Sequence, residues 1–142
     1  MLKKHPKLAL CEFYNGTTNP VCRSTYLGHR NILSLLLKYG ADINKRSGDQ
    51  RTPVIWAAFR NNIPMLEYLI ENGADIHAVD KDGYNALDIA IIRINFLAAK
   101  KMTKAGLERK DKSEYEGKTW RKYDIDMMFD GIDADLEDIE YQ

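Results

Sequence analysis

Gly40-Ala41-Asp42-Ile43-Asn44 recurs as Gly73-Ala74-Asp75-Ile76-His77, a step of 33 residues. One further step leads to Gly106-Leu107-Glu108, preceded by Ala105. The same step relates Asn19-Pro20-Val21 to Thr52-Pro53-Val54 and Asn85-Ala86-Leu87. It also carries Ile32-Leu33 onto Met65-Leu66 and Ala98-Ala99, and Leu36 onto Leu69 and Met102. Three copies hold this register without insertion or deletion. A fixed period of this length means supersecondary units that bury their faces only against neighbours, with about three copies as the lower limit for a stable stack.

Each copy reads as two short helices. Asn19, Thr52 and Asn85 are N-cap types, whose side-chain oxygen can accept from a first-turn N–H. Pro20 and Pro53 follow at the first helical position, where a missing N–H costs nothing. First helices are expected at about 20–27, 53–60 and 86–93. Gly28 and Asn61 then stand where a tight turn needs a left-handed residue. Second helices carry apolar residues at helical spacing: Ile32, Leu33, Leu36 and Leu37, then Met65, Leu66, Leu69 and Ile70. Gly40, Gly73 and Gly106 close them.

These residues resemble the ankyrin repeat. Gly28-His29-Arg30-Asn31-Ile32-Leu33 through Gly40-Ala41-Asp42-Ile43-Asn44 nearly matches its consensus, and Thr52-Pro53-Val54-Ile55-Trp56-Ala57-Ala58 and Asp82-Gly83-Tyr84-Asn85-Ala86-Leu87 track its opening. The resemblance implies an all-α solenoid of paired antiparallel helices with β-hairpin-like fingers. The usual loop-tying histidine is replaced by Cys22, Ile55 and Asp88, so the fingers must be held differently. Trp56 falls where a leucine usually packs between helices, and is expected in the core. The third copy departs most, with β-branched Ile94 at the left-handed turn and the small pair Ala98-Ala99 in its second helix. That small surface leaves room for something bulky, and the C-terminal tail is expected there.

The repeats cover residues 17–110; residues 1–16 and 111–142 do not match the phase. The first segment is expected to cap the stack through Leu8, Leu10, Phe13 and Tyr14. The last comprises a linker, expected to be pinned by Trp120, and an acidic amphipathic tail. Ile125, Met128, Phe129, Ile132 and Leu136 fall on one helical face, interrupted by Gly131, which costs about 1 kcal/mol relative to alanine. One helix or two short pieces both fit. These residues are expected to dock, the alternative being a solvated acidic end.

Charge divides along the same boundary. Lys and Arg equal Asp and Glu at 21 each, yet residues 1–110 carry +7 and residues 111–142 carry −7. The zero is therefore a sum of two unlike surfaces, and leaves open a tail that binds a partner or folds back onto the basic repeats.

The resemblance places partner binding on the concave face. The column Tyr26-Leu27, Phe59-Arg60, Ile92-Arg93 is apolar beside arginines, and Arg46, Arg51 and Tyr84 stand on the fingers. These nine residues are the candidate partner contacts; burial under the terminal segments is the alternative. Lys100, Lys101, Lys104, Arg109 and Lys110 form a basic run just before the tail. No catalytic residue, metal site or cofactor is assigned, since the three histidines are scattered and no phosphate-binding glycine motif occurs.

The expected function is a non-catalytic protein-interaction module: a small adaptor or structural subunit of a larger assembly, such as a ciliary or cytoskeletal scaffold. The alternative is a self-regulated binder whose tail masks the repeats; nucleic-acid binding ranks below both, and no small-molecule substrate is expected. Two cysteines without metal spacing point to a reducing, intracellular compartment. No apolar run approaches the roughly 18 residues that span a bilayer. Pro6 and the lack of arginine before Arg23 argue against a mitochondrial leader.

Overall fold

A computed structural model of the chain describes residues 18–119 and 125–133. The repeats fold as three helical hairpins: α1 (Pro20–Leu27) with α2 (Arg30–Lys38), α3 (Pro53–Phe59) with α4 (Ile63–Glu71), and α5 (Ala86–Ile92) with α6 (Phe96–Lys104). A 3-10 turn (Lys112–Glu114) and α7 (Ile125–Asp133) follow. The first helices stack in order, α1 on α3 on α5, and α4 packs on α6 in a second layer.

Local chemistry sets these boundaries. Asn19 Oδ1 accepts from Cys22 N at 3.0 Å, and Asn85 Oδ1 from Asp88 N at 2.9 Å. Asp88 reciprocates by accepting from Asn85 N, completing a capping box. Thr52 departs from the expected capping: its buried hydroxyl makes no hydrogen bond. There Pro53, with φ already set for a helix, starts α3 without side-chain help. The tight turns within hairpins use left-handed backbone at Gly28 (φ 76°), Asn61 (φ 52°) and Ile94 (φ 58°). A β-branched residue there is strained, by about 1–2 kcal/mol.

The long fingers are turns rather than strands. Ser47 N donates to Arg51 O at 3.0 Å and Asp80 N to Tyr84 O at 2.9 Å, and no strand occurs among the described residues. Gln50 N also donates to Ser47 O at 2.8 Å and Gly83 N to Asp80 O at 3.1 Å, so each finger is a hairpin-like turn closed by two backbone bonds, without a strand ladder.

One core runs through the stack, from Val21, Leu33 and Leu36 through Ile55, Leu66 and Leu69 to Leu87, Ile91 and Met102. It continues into Tyr115, Met128, Phe129 and Ile132. Helix α7 packs on α6, the helix that carries Ala98-Ala99. It is one helix, continuous through Gly131. A Cβ at Gly131 would lie 2.8 Å from Phe96 Cζ and nearer still to Cε2. The glycine is thus a site of close approach rather than a break.

Candidate functional site

On the first-helix face, α1, α3 and the first finger enclose a groove of about 380 Å³, lined by Cys22, Arg23, Tyr26, Arg51, Trp56 and Phe59 among others. Helical spacing explains the shared face: Trp56 and Phe59 are three residues apart on α3, and Tyr26 is one repeat before Phe59. Trp56 is the hub. Its ring meets Tyr26 edge-on at 5.5 Å and Phe59 at 5.4 Å, and its Nε1 donates to Ser47 Oγ at 3.2 Å.

Guanidinium groups cover these rings. Arg51 lies 4.9 Å from the Trp56 centroid and 5.1 Å from that of Phe59. Arg60 stands 4.8 Å over Tyr26, and Arg93 stands 4.1 Å over Phe59. Each such contact contributes about 0.5–2 kcal/mol, more as water is excluded. Leu27, itself exposed, lines a second recess of about 350 Å³ with Tyr26, Arg60 and Pro64.

Ankyrin repeats, in three copies, are the family model that matches this chain, over residues 21–111. The chain belongs to the ankyrin-repeat family. It is 36% identical over 67 residues to the ankyrin repeat domain-containing protein OPG015 of Monkeypox virus, a match covering 47% of this chain and 15% of that protein. It is 41% identical over 68 residues to the potassium channel KOR2 of Oryza sativa subsp. japonica, covering 48% of this chain and 10% of the channel. A third relative, the inactive serine/threonine-protein kinase TEX14 of Mus musculus, is 41% identical over 59 residues, covering 42% of this chain and 4% of that protein. The matches thus span only a small part of each relative. Ankyrin repeats are a protein–protein interaction fold without catalytic chemistry of their own. Among the described residues no helix is long and apolar enough to cross a membrane.

The ankyrin fingers are tied by substitutes for the missing histidine. Cys22 Sγ donates to Lys45 O at 3.1 Å, and Asn19 Nδ2 to Arg46 O at 3.1 Å. Burial pushes the Cys22 thiol up to about 12, with the Asn19 bond and the Lys45 charge opposing weakly. Ile55 cannot tie a loop, and Asp80 does so instead: its Oδ1 accepts from Asp82 N at 2.9 Å and Tyr84 N at 3.0 Å. Arg46 links the fingers, donating to Gln50 O at 2.7 Å and Val79 O at 2.6 Å.

Of the nine candidate contacts, ring and guanidinium contacts join Tyr26, Arg51, Phe59, Arg60 and Arg93 into one surface. Leu27 flanks it, and Ile92 is half-buried against the core. Arg46 is engaged between fingers, and Tyr84 lies beneath Lys110 and Lys118. Trp56, expected in the core, instead lines the groove. The repeat register is ambiguous here, because one period before Trp56 stands the exposed Arg23 and one period after it the buried Ile89.

At the other end, Tyr115 pins the linker. Fully buried, its hydroxyl donates to Asp88 Oδ1 at 2.6 Å and accepts from Lys110 N at 3.0 Å. Burial first, then the Asp88 contact, holds its phenol well above the ordinary tyrosine range. Lys110 pairs with Asp88 at 3.3 Å. The sequence hint was an acid in the otherwise apolar α5. Trp120 and Leu136 lie outside the described residues. Ile125 opens α7, while Met128, Phe129 and Ile132 are buried. Phe129 meets Tyr115 edge-on at 6.0 Å and lies 4.4 Å beneath Arg109; Lys112 pairs with Asp126.

Proposed function

We propose that this ankyrin stack is an intracellular adaptor or structural subunit that holds a partner protein against the groove of Tyr26, Trp56 and Phe59. The observation that carries the reading is the groove itself. Aromatic rings and arginines, which dominate protein-interface hot spots, share one face across consecutive repeats, and a well-filled core lies behind them. The buried thiol of Cys22 suits a reducing compartment. A multiprotein assembly, such as a ciliary or cytoskeletal scaffold, is the setting in which a catalysis-free surface acts.

A self-masked stack is less well supported. Helix α7 packs on α6, whereas the groove is lined by α1, α3 and the first finger. Nucleic-acid binding needs a contiguous basic face, yet the basic run is largely engaged: Lys101 with Glu67, Lys110 with Asp88, Arg109 with Phe129.

The test is affinity capture from the native source with the full chain and with Tyr26→Ser/Arg60→Ala. The groove reading requires stoichiometric partners that the double variant loses. Equal recovery with both baits, or recovery of the chain alone, refutes it.

A further inference from the structure

We propose that Ile32 and Leu35 on α2 form a docking face that takes the acidic segment 134–142 of a second copy of this chain, so that copies associate head to tail. The face lies apart from the groove, which is lined by α1, α3 and the first finger.

The repeat shows which residues lack a neighbour. Ile32 is 48% exposed, whereas Met65 and Ala98, in the same register, are 2% and 0% exposed. Leu35 is also 48% exposed, while its counterpart Tyr68 lies half-buried beneath Arg30 of the preceding repeat. Repeats two and three each follow another repeat; among the described residues no repeat precedes the first. Ile32 and Leu35 stand three apart on α2 and share one side of it, so they make a single exposed apolar strip. The opposite end of the stack is closed, because α7 packs on α6 and buries Phe129 and Ile132. A second copy therefore cannot bring its third repeat against α2 as a neighbouring repeat would. What it can bring is the segment that follows α7.

Charge selects the occupant. Residues 18–41 hold Arg23, Arg30 and Lys38 and no Asp or Glu. Arg30 and Lys38 are exposed at the two ends of α2, on either side of the strip. Glu67, on the next second helix, is paired with Lys101 at 3.2 Å. Residues 134–142 lie outside the described residues; by sequence they hold Asp135, Glu137, Asp138 and Glu140 and no Lys or Arg. Leu136 and Ile139 stand three apart among these acids, the spacing of Ile32 and Leu35. Residues 1–17 bring the wrong sign, with Lys3, Lys4 and Lys7 against Glu12 alone. Reach then separates one copy from two. Helix α2 stands two repeats from α6, about 16–20 Å at the usual 8–10 Å between packed helices. Leu136 follows Asp133, where α7 ends, by three residues, which span at most about 11 Å. Leu136 of the same chain thus falls short of α2, and a second copy must supply it. Face and segment differ, so the contact is heterologous: it does not close in a pair but passes on to further copies.

Sedimentation velocity on the full chain tests this, from about 10 μM to about 1 mM, a range that brackets the roughly 100 μM expected of so small an interface. Wild type should grow with concentration past the dimer. Ile32→Ser/Leu35→Ser removes the face at exposed positions and should keep the melting temperature; Leu136→Ser/Ile139→Ser removes the segment. Each variant alone should associate at least tenfold more weakly than wild type. Mixed in equal amounts they should form one-to-one dimers and stop there, because one copy still has a face and the other still has a segment. Asp135→Asn with Glu137→Gln, Asp138→Asn and Glu140→Gln should weaken wild-type growth about tenfold, the scale of one charge-assisted contact. A wild type that stays monomeric over the whole range overturns the proposal and leaves α2 to the chain's own segments or to another protein. Association that persists in Leu136→Ser/Ile139→Ser overturns it however the face variant behaves, and points to face-to-face pairing if only the face variant abolishes it. A mixture that stays monomeric, or growth unchanged by neutralising the four acids, overturns it as well.

Discussion

Replacing Gly131 with alanine sets the local preference of α7 against its docking. Inside a helix alanine is favoured over glycine by about 1 kcal/mol, so a free tail helix gains from the change. In the docked helix the new Cβ stands 2.8 Å from Phe96 Cζ, and nearer to Cε2, where carbon atoms need about 3.5–4.0 Å. Relief requires the Phe96 ring to leave its place 5.5 Å from Lys100 Nζ, or α7 to lift from α6. Overpacking of this kind costs about 1–3 kcal/mol. The net effect on docking is a loss of up to roughly 2 kcal/mol, about thirtyfold in the opening equilibrium. With Phe96→Ala the obstacle is gone, and Gly131→Ala should then strengthen α7 by about 1 kcal/mol, or about fivefold. Hydrogen exchange of the 127–133 amides, in the full chain and its three variants, reads both effects. Exchange should quicken in the single Gly131→Ala variant and slow when it is added to Phe96→Ala. Slowing by the same factor in both backgrounds would refute close approach as the reason for the glycine.

Three further outcomes follow from the same geometry. Ile94→Asn should raise stability by about 1 kcal/mol, or roughly 4 °C in melting temperature, because Asn61 already serves the left-handed turn of the preceding repeat; a lower melting temperature would show that Ile94's packing outweighs its strain. Tyr115→Phe should cost about 1–3 kcal/mol in urea unfolding by stranding Asp88 Oδ1 and Lys110 N. Its pH dependence has a definite sign: the folded phenol ionises above its ordinary value of 10.0, so its contribution is intact below that pH and is lost as pH rises beyond it. Wild type should therefore lose stability more steeply above about pH 10 than Tyr115→Phe, and parallel curves would contradict the assignment. In a Cys11→Ser background, Cys22, with its thiol pushed up to about 12, should resist iodoacetamide at about pH 8 when folded and react in urea; rapid labelling of the folded chain would exclude the buried Cys22 hydrogen bonds.

The repeat made most of the fold legible, because period, caps and turn residues are local properties written once per copy. Helices α1 to α6 begin and end close to where Asn19, Pro53, Gly40 and their equivalents place them. The left-handed turn at Ile94 was likewise evident from its alignment with Gly28 and Asn61. Reading stopped where a residue's role depended on another repeat or on a segment outside the phase. The family pattern puts a core residue at Trp56, whereas its surroundings come from Tyr26 and Arg51, on neighbouring elements. Tyr115 had no repeat partner to betray it, since its hydroxyl answers an acid on α5.

Gly131 shows the division most plainly. By propensity it is a defect in a helix, and the sequence alone could say no more, because propensity describes an isolated segment in water. The tertiary structure brings Phe96 against that position, and the absence of a Cβ becomes the condition for docking. The sequence by itself determined the stack and its opposed charges, since both follow from local spacing and composition. Only the tertiary structure decided which aromatics face the groove, and how the acidic tail begins to fold back. Those outcomes depend on distances between residues that no spacing along the chain encodes.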